Sequence, residues 1–226
     1  MGQRAEDPNH VEGATMKLLV LGGTQGTGAL CVKAALAKGH VVTAFARTPT
    51  KLDLTAPKLT KLAGDFHDAA SVSGAVKGHD AVIICASSSS LKGFKETPDY
   101  FSRGTKFCID AMKEHGVKRL VVLSAQGSGD SVVTANWFLR TFVINGILKY
   151  PFRDHDVQER MTRESGLEYV IARPTRLTDG KANGKYTATA ELVSVPSSIS
   201  RADVANFMVD ACTASTFLNK AVQLGG

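Results

Sequence analysis

The sequence predicts an α/β fold: a Rossmann-type doubly wound parallel sheet in a single domain, with a small C-terminal substrate-side portion. Three observations predict it. Short runs of Val, Ile and Leu recur along the chain, as strands buried on both faces require. Helical patterns alternate with these runs, which makes βαβ units and a parallel sheet. The first run leads directly into a glycine-rich loop, Gly22-Gly23-Thr24-Gln25-Gly26-Thr27-Gly28, followed by an alanine-rich helix.

Taken in order, the apolar runs place strands over residues 17–21, 40–45, 59–63, 81–85, 120–123 and 169–172. Helical patterns fill residues 28–38, 69–76, 98–115 and 154–165. Right-handed crossovers put every strand C-terminus on one edge, where ligands of such sheets bind. The expected strand order is 3-2-1-4-5-6. Residues 1–15 are polar and read as a flexible tail, with the domain over 16–226. The stretch 135–150 carries the only tryptophan, Trp137, with Phe138 and Phe142, and runs up to Pro151. It reads as a helix, either packed in the interior or forming an apolar wall of a substrate pocket.

Composition narrows the function classes. Of 226 residues, 43% are hydrophobic and 21% charged, an ordinary globular balance that excludes disorder and a disulfide scaffold. The clean apolar run from Ala81 to Ala86 falls far short of the ~20 residues that span a bilayer. No secretory apolar region follows Met1, and Glu6 stands where a myristoylation signal wants Ser or Thr. The expectation is a cytoplasmic protein without a membrane partner. Cys31, Cys85, Cys108 and Cys212 form no Cys-x-x-Cys pair and read as buried reduced thiols. The six histidines lack ligand spacing, so no metal is expected. A net charge of +6, spread without a basic block, favours an anionic small molecule over nucleic acid.

Between a first strand and a first helix, a glycine loop has a specific use. Gly22 permits a tight turn, Gly26 lets backbone approach a pyrophosphate, and Gly28 lets the helix pack closely on the strand. The helix N-terminus offers free N–H groups to phosphates, and Thr24, Gln25 and Thr27 line the loop. The second strand selects the dinucleotide. An NAD site would carry Asp or Glu at its end, but this strand ends at Arg47, with Lys51 beyond it and no acid before Asp53. A guanidinium fork suits the 2′-phosphate of NADPH, and Lys51 either assists or is solvated surface charge. Asp65 and Phe66 follow the third strand, as an adenine contact or as a helix cap and its neighbour. Ala86 and Ser87 follow the fourth, small enough for backbone to pass a ribose.

Together with Val42-Thr43-Ala44-Phe45-Ala46-Arg47, Gly64-Asp65, His79-Asp80-Ala81-Val82-Ile83 and Arg163-Glu164-Ser165-Gly166-Leu167-Glu168-Tyr169-Val170, these motifs resemble a known family. It is the atypical short-chain dehydrogenase/reductases, in their NmrA-like NAD(P)H-binding branch, with the strongest likeness to the biliverdin-IXβ reductase and flavin reductase group. The likeness spans residues 17–224. It departs in three places. The glycines follow G-x-x-x-G-x-G, the spacing of the main Tyr-Lys subgroup, rather than the branch's G-x-x-G-x-x-G. No Tyr-x-x-x-Lys occurs anywhere. Pro174-Thr175-Arg176 stands where the biliverdin reductase pattern has Pro-Pro-His.

The resemblance implies hydride transfer from NADPH to a planar conjugated acceptor: a flavin, quinone, tetrapyrrole or aromatic ketone. Such acceptors delocalise the incipient charge, so positioning supplies most of the catalysis. Ser124, after the fifth strand, reads as a contact to the carboxamide or the substrate, or as a cap. His155 and Glu159 share a helix face, where one orients the other as a proton donor or both are solvated. Pro174 lies where the family's backbone passes the nicotinamide. Arg173 and Arg176 are candidates for holding an anionic, aromatic substrate; Arg173 has the rival role of pairing with a carboxylate. The oligomeric state is open. The alternatives are an NADP(H)-sensing regulator without turnover and a redox-neutral isomerase or cyclase with bound NADP. Hydrolase and metalloprotease readings fail, since neither G-x-S-x-G nor H-E-x-x-H occurs.

Overall fold

A computed structural model describes residues 15–86, 96–134 and 148–226. The expected tail, Ser87 and the Trp137–Phe142 segment lie outside the described residues. The strands are β1 (Lys17–Leu21), β2 (Val41–Ala46), β3 (Leu59–Ala63), β4 (Ala81–Ile84), β5 (Arg119–Leu123), β6 (Glu168–Pro174), β7 (Arg176–Thr178), β8 (Thr187–Thr189), β9 (Ser198–Ser200) and β10 (Lys220–Gly225). The described α-helices are α1 (Gly26–Ala37), α2 (Ala69–Val76), α3 (Tyr100–His115), α4 (Lys149–Glu164) and α5 (Arg201–Asp210).

The main sheet runs β3-β2-β1-β4-β5-β6-β10-β8, so the expected six-strand order holds and two strands extend it. All its pairings are parallel except β10 with β8. In β1, Leu18, Leu19, Val20 and Leu21 are all fully buried, which explains a continuous apolar run in place of alternation. Alternate residues serve opposite layers. Leu18 and Val20 join Val32, Ala35, Val204 and Met208 of α1 and α5, whereas Leu19 and Leu21 join Val72, Cys108 and Met112 of α2 and α3. Full burial of each such side chain contributes about 1.5–3 kcal/mol.

Helix boundaries follow local chemistry. Asp68 caps α2 by accepting from the Ser71 N–H at 2.6 Å. Gly116 ends α3 in the left-handed conformation at φ 71°. Asp154, from α4, accepts from the Phe101 and Ser102 N–H groups and so caps the start of α3 from a neighbouring helix. Helix α4 begins at Lys149, earlier than the periodicity suggests. Pro151 therefore sits in its first turn, where a missing N–H costs no intrahelical bond. After Pro174 the chain forms the small β7–β9 ribbon, then α5, and returns as β10 beside β6. Ser200 caps α5 through the Asp203 N–H, and the Asp203 carboxylate also takes the N–H groups of Asn183 and Gly184.

Candidate functional site

The C-terminal edge of the sheet carries two polar constructions. The first is the glycine loop. Its Gly22 and Gly23 N–H groups donate to the Phe45 carbonyl, which ties the loop to β2. Gly22 has φ 85°, and a Cβ there would lie 2.6 Å from the Ala86 Cα, so loop and strand end meet backbone to backbone. A Cβ on Gly28 would sit 2.1 Å from the Gly22 carbonyl oxygen, which is why α1 can start so close to the loop. Gly26 is different. It is exposed, has φ 52°, and a Cβ on it would meet nothing within 4 Å.

Helix α1 starts at that open position. Its N-cap, Gln25, makes no side-chain cap bond, and its first turn holds no acid. The orphan N–H groups of a first turn need an acceptor, and a helix N-terminus favours an anion. Thr24 is half-buried, Thr27 is buried, and Gln25 is exposed. These residues fit a pyrophosphate: among the described residues, no side chain caps the donors and no atom lies within 4 Å of a Cβ built on Gly26.

Beside the loop, Arg47 follows β2 and is exposed, and Lys51 closes the short turn Pro49–Lys51, also exposed. Asp65 is exposed after β3 and accepts from the His67 N–H at 2.9 Å. It caps no helix; Asp68 does. Phe66 is only 6% exposed and packs against Gly104 of α3, so it belongs to the core. The partly exposed aromatics beside Asp65 are His67 and Tyr100, edge to face at 4.5 Å. Burial pushes the Tyr100 phenol above its ordinary pKa; Arg47 pulls against this and Asp65 adds to it, which places all three within electrostatic reach. Sequence reasoning missed His67 and Tyr100. The run Asp65-Phe66-His67 was the available signal for the first, and nothing local marked the second.

The second construction is a buried network. Ser124, one residue past β5, donates its hydroxyl to Glu159 Oε1 at 2.6 Å. Arg173, in β6, forks onto the same carboxylate, Nε to Oε1 at 2.9 Å and Nη2 to Oε2 at 2.5 Å. Its Nη1 lies 2.5 Å from Asp130 Oδ1. Ser124, Glu159 and Arg173 are 4%, 2% and 1% exposed. Burial works against the Arg173 charge, but Glu159 and Asp130 outweigh it and hold the pKa above its ordinary value. Burial likewise opposes the Asp130 charge, and Arg173 with Arg163 nonetheless brings that carboxyl below its usual range. A depression of about 390 Å³ borders this network and is lined by Gly129, Asp130, Asp156, Glu159, Arg163 and Arg173. The glycine loop does not line it.

Two expectations are corrected here. Arg173 is not available to a substrate; it lies inside β6 and is consumed by Glu159 and Asp130. His155 and Glu159 do not orient one another. His155 bonds Gln158 Oε1 through Nδ1 at 2.8 Å and stacks on Phe101 at 3.9 Å. Burial lowers its pKa. Gln158 donates in turn to Thr105, which fixes its oxygen toward the histidine. Arg176 is exposed at the start of β7 and carries no ion pair among the described residues. Ala86 is buried against Gly22. Pro174 is buried at the end of β6, and its carbonyl accepts from the Gln126 N–H at 2.9 Å. Among the described residues, no helix is long and apolar enough to cross a membrane, and no cluster of His, Cys, Asp and Glu could hold a metal ion.

Comparison with known proteins gives the same picture. A family model described as NAD(P)H-binding matches residues 22–215. An uncharacterized chloroplastic protein of Arabidopsis thaliana is 27% identical, over 98% of this chain and 80% of that protein. The structure of ChuY, an anaerobilin reductase from Escherichia coli O157:H7, superposes with a TM-score of 0.75 at 25% identity, covering 92% of this chain and 96% of the other. A short-chain dehydrogenase/reductase from Veillonella parvula in complex with NADP shares the fold, with a TM-score of 0.78 at 17% identity over 93% and 94% of the two chains.

Proposed function

The chain belongs to the NAD(P)H-binding family, and from that premise we propose that it is an NADPH-dependent reductase of a planar conjugated acceptor. One observation carries the cofactor: the uncapped start of α1 opens at Gly26, with Arg47 exposed at the end of the adjacent strand. Gly22, Thr24, Gln25, Gly26 and Thr27 would hold the pyrophosphate. Arg47 and Lys51 would hold the 2′-phosphate, and Asp65 the adenine side. NADPH supplies a hydride when bound. Ala86, Ser124 and Pro174 would border its reacting end, since they lie at the C-terminal ends of β4, β5 and β6 at one edge. Arg176 is the exposed cation past β6 and would hold an anionic arm of the acceptor. The likeness to an anaerobilin reductase supports a reductase of a conjugated molecule. A cytoplasmic location belongs to the same proposal, although the Arabidopsis thaliana relative is chloroplastic.

The test is NADPH oxidation with a panel of flavins, quinones and aromatic ketones. Turnover with at least one supports the reading, and KM for flavin mononucleotide should rise in Arg176→Ala while a neutral quinone is unaffected. A second reading, an NADP(H) sensor, is favoured by a specific observation: the Ser124 hydroxyl is already bonded to Glu159. Tight NADPH binding without turnover on any acceptor would favour the sensor.

A further inference from the structure

The partners of the buried Ser124 hydroxyl fix what it can offer a ligand. A serine has one hydrogen and two lone pairs, a carboxylate only accepts, and a guanidinium only donates. Glu159 receives the Arg173 fork on both oxygens, and Ser124 approaches Oε1 at 2.6 Å. The carboxylate between a guanidinium and a hydroxyl takes the hydroxyl hydrogen. Ser124 has no second hydrogen to give. The Ser124 backbone is held as well, its N–H donating to the Ala172 carbonyl at 2.8 Å, so the side chain has a fixed origin at the sheet edge.

We propose that Ser124 is a locked acceptor, with Glu159 and Arg173 as its positioning residues, and that it receives an N–H donor, the amide nitrogen of the nicotinamide carboxamide. This rests on the reading of the glycine loop as a nicotinamide dinucleotide site. It assigns the serine a direction opposite to that of a proton donor, so a proton consumed in reduction has another source. Arg173 is itself held by Asp130 through its remaining nitrogen, which keeps the fork on Glu159 from rotating away.

The experiment compares binding of two cofactors, without turnover. One is NADPH. The other is reduced 3-acetylpyridine adenine dinucleotide phosphate, whose acetyl group keeps the carbonyl but replaces the amide nitrogen with a methyl. Ser124→Ala leaves Glu159 fully paired with Arg173, so the fold survives. It should weaken NADPH about fivefold, the factor for roughly 1 kcal/mol of hydrogen bond, and leave the acetylpyridine cofactor within error. Equal loss on both, or loss on the acetylpyridine cofactor alone, overturns the acceptor assignment. Failure of the wild type to bind either cofactor instead defeats the underlying cofactor reading. Glu159→Gln, where its melt stays cooperative, should bring the two affinities together because the hydroxyl is no longer pinned; an unchanged ratio removes Glu159 from the positioning role. If that variant does not fold, the Ser124→Ala pair decides alone.

Discussion

The glycine loop and the Ser124–Glu159–Arg173 network sit on the same edge of one sheet and are built by opposite means. The loop is made of backbone and of missing side chains. Its donors at the start of α1 have no cap, and its open position, Gly26, faces free space. The network is made of side chains from the loops and elements around β5, α4 and β6, and its donors and acceptors saturate one another. The first construction offers uncapped donors that suit an anion. The second is complete, so it can direct a ligand only through the lone pairs that Ser124 has left. In the proposed function, binding energy would come from the first and orientation from the second.

The sharpest way to break this comparison is at the core of the saturated half. Arg173→Ala takes the bidentate partner from the buried Glu159 carboxylate and leaves it only the Ser124 hydroxyl and the looser Arg163 contact at 3.9 Å, which costs about 3 kcal/mol of stability in urea unfolding. A loss below about 1 kcal/mol would mean that the network holds the fold no better than an exposed ion pair does. The open half should respond through binding instead. Arg47→Ala should weaken NADPH by about 1.5–3 kcal/mol with little change in NADH or in stability, because the lost group is exposed and serves one phosphate. Equal losses on both cofactors would remove Arg47 from the 2′-phosphate.

The smallest effect concerns protonation. Burial depresses the His155 pKa below its ordinary value of 6.5. The unfolded chain then binds the proton more readily than the folded one as pH falls. The stability contribution is therefore present above pH 6.5 and lost as pH falls toward the folded-state value. His40 and His79 shift in the same direction, each chiefly through burial, so a slope should remain when one is removed. His155→Leu should flatten the decline in unfolding free energy between neutral and mildly acidic pH without abolishing it. An unchanged slope would show that His155 takes up its proton equally in the folded and unfolded states.

What could be read from the sequence divides along the same line. Strands buried on both faces announce themselves as apolar runs, so β1 to β6 and their order were legible. The glycine loop was legible because its function lies in consecutive residues. The strand β10 is not legible in the same way: Lys220-Ala221-Val222-Gln223-Leu224-Gly225 has its apolar run interrupted by a buried glutamine whose amide donates to the Glu191 and Val193 carbonyls. Pro151 read as a stop because nothing local distinguishes a proline that ends a helix from one in a first turn. The pairing of Glu159 with Arg173 was out of reach for a different reason. Helical spacing put Glu159 beside His155, but the strand across the layer decides which partner it meets. The sequence leaves Arg173 open between a substrate anion and a carboxylate partner, because its acids, Glu159 on α4 and Asp130 on the loop after β5, are distant along the chain.

In the proposed function, the cofactor's pyrophosphate approaches the backbone in the space above Gly26. Calorimetric titration of NADPH into wild type and Gly26→Val tests it most directly, with a thermal melt of each to confirm the fold. A Cβ at this position meets no atom of the described residues beyond its own stretch of chain within 4 Å, so the fold should persist at the cost of a β-branched residue at φ 52°, while the side chain occupies the space the phosphates would need. The account predicts saturable binding to the wild type and none to a folded Gly26→Val. A folded variant that binds NADPH as the wild type does would contradict it.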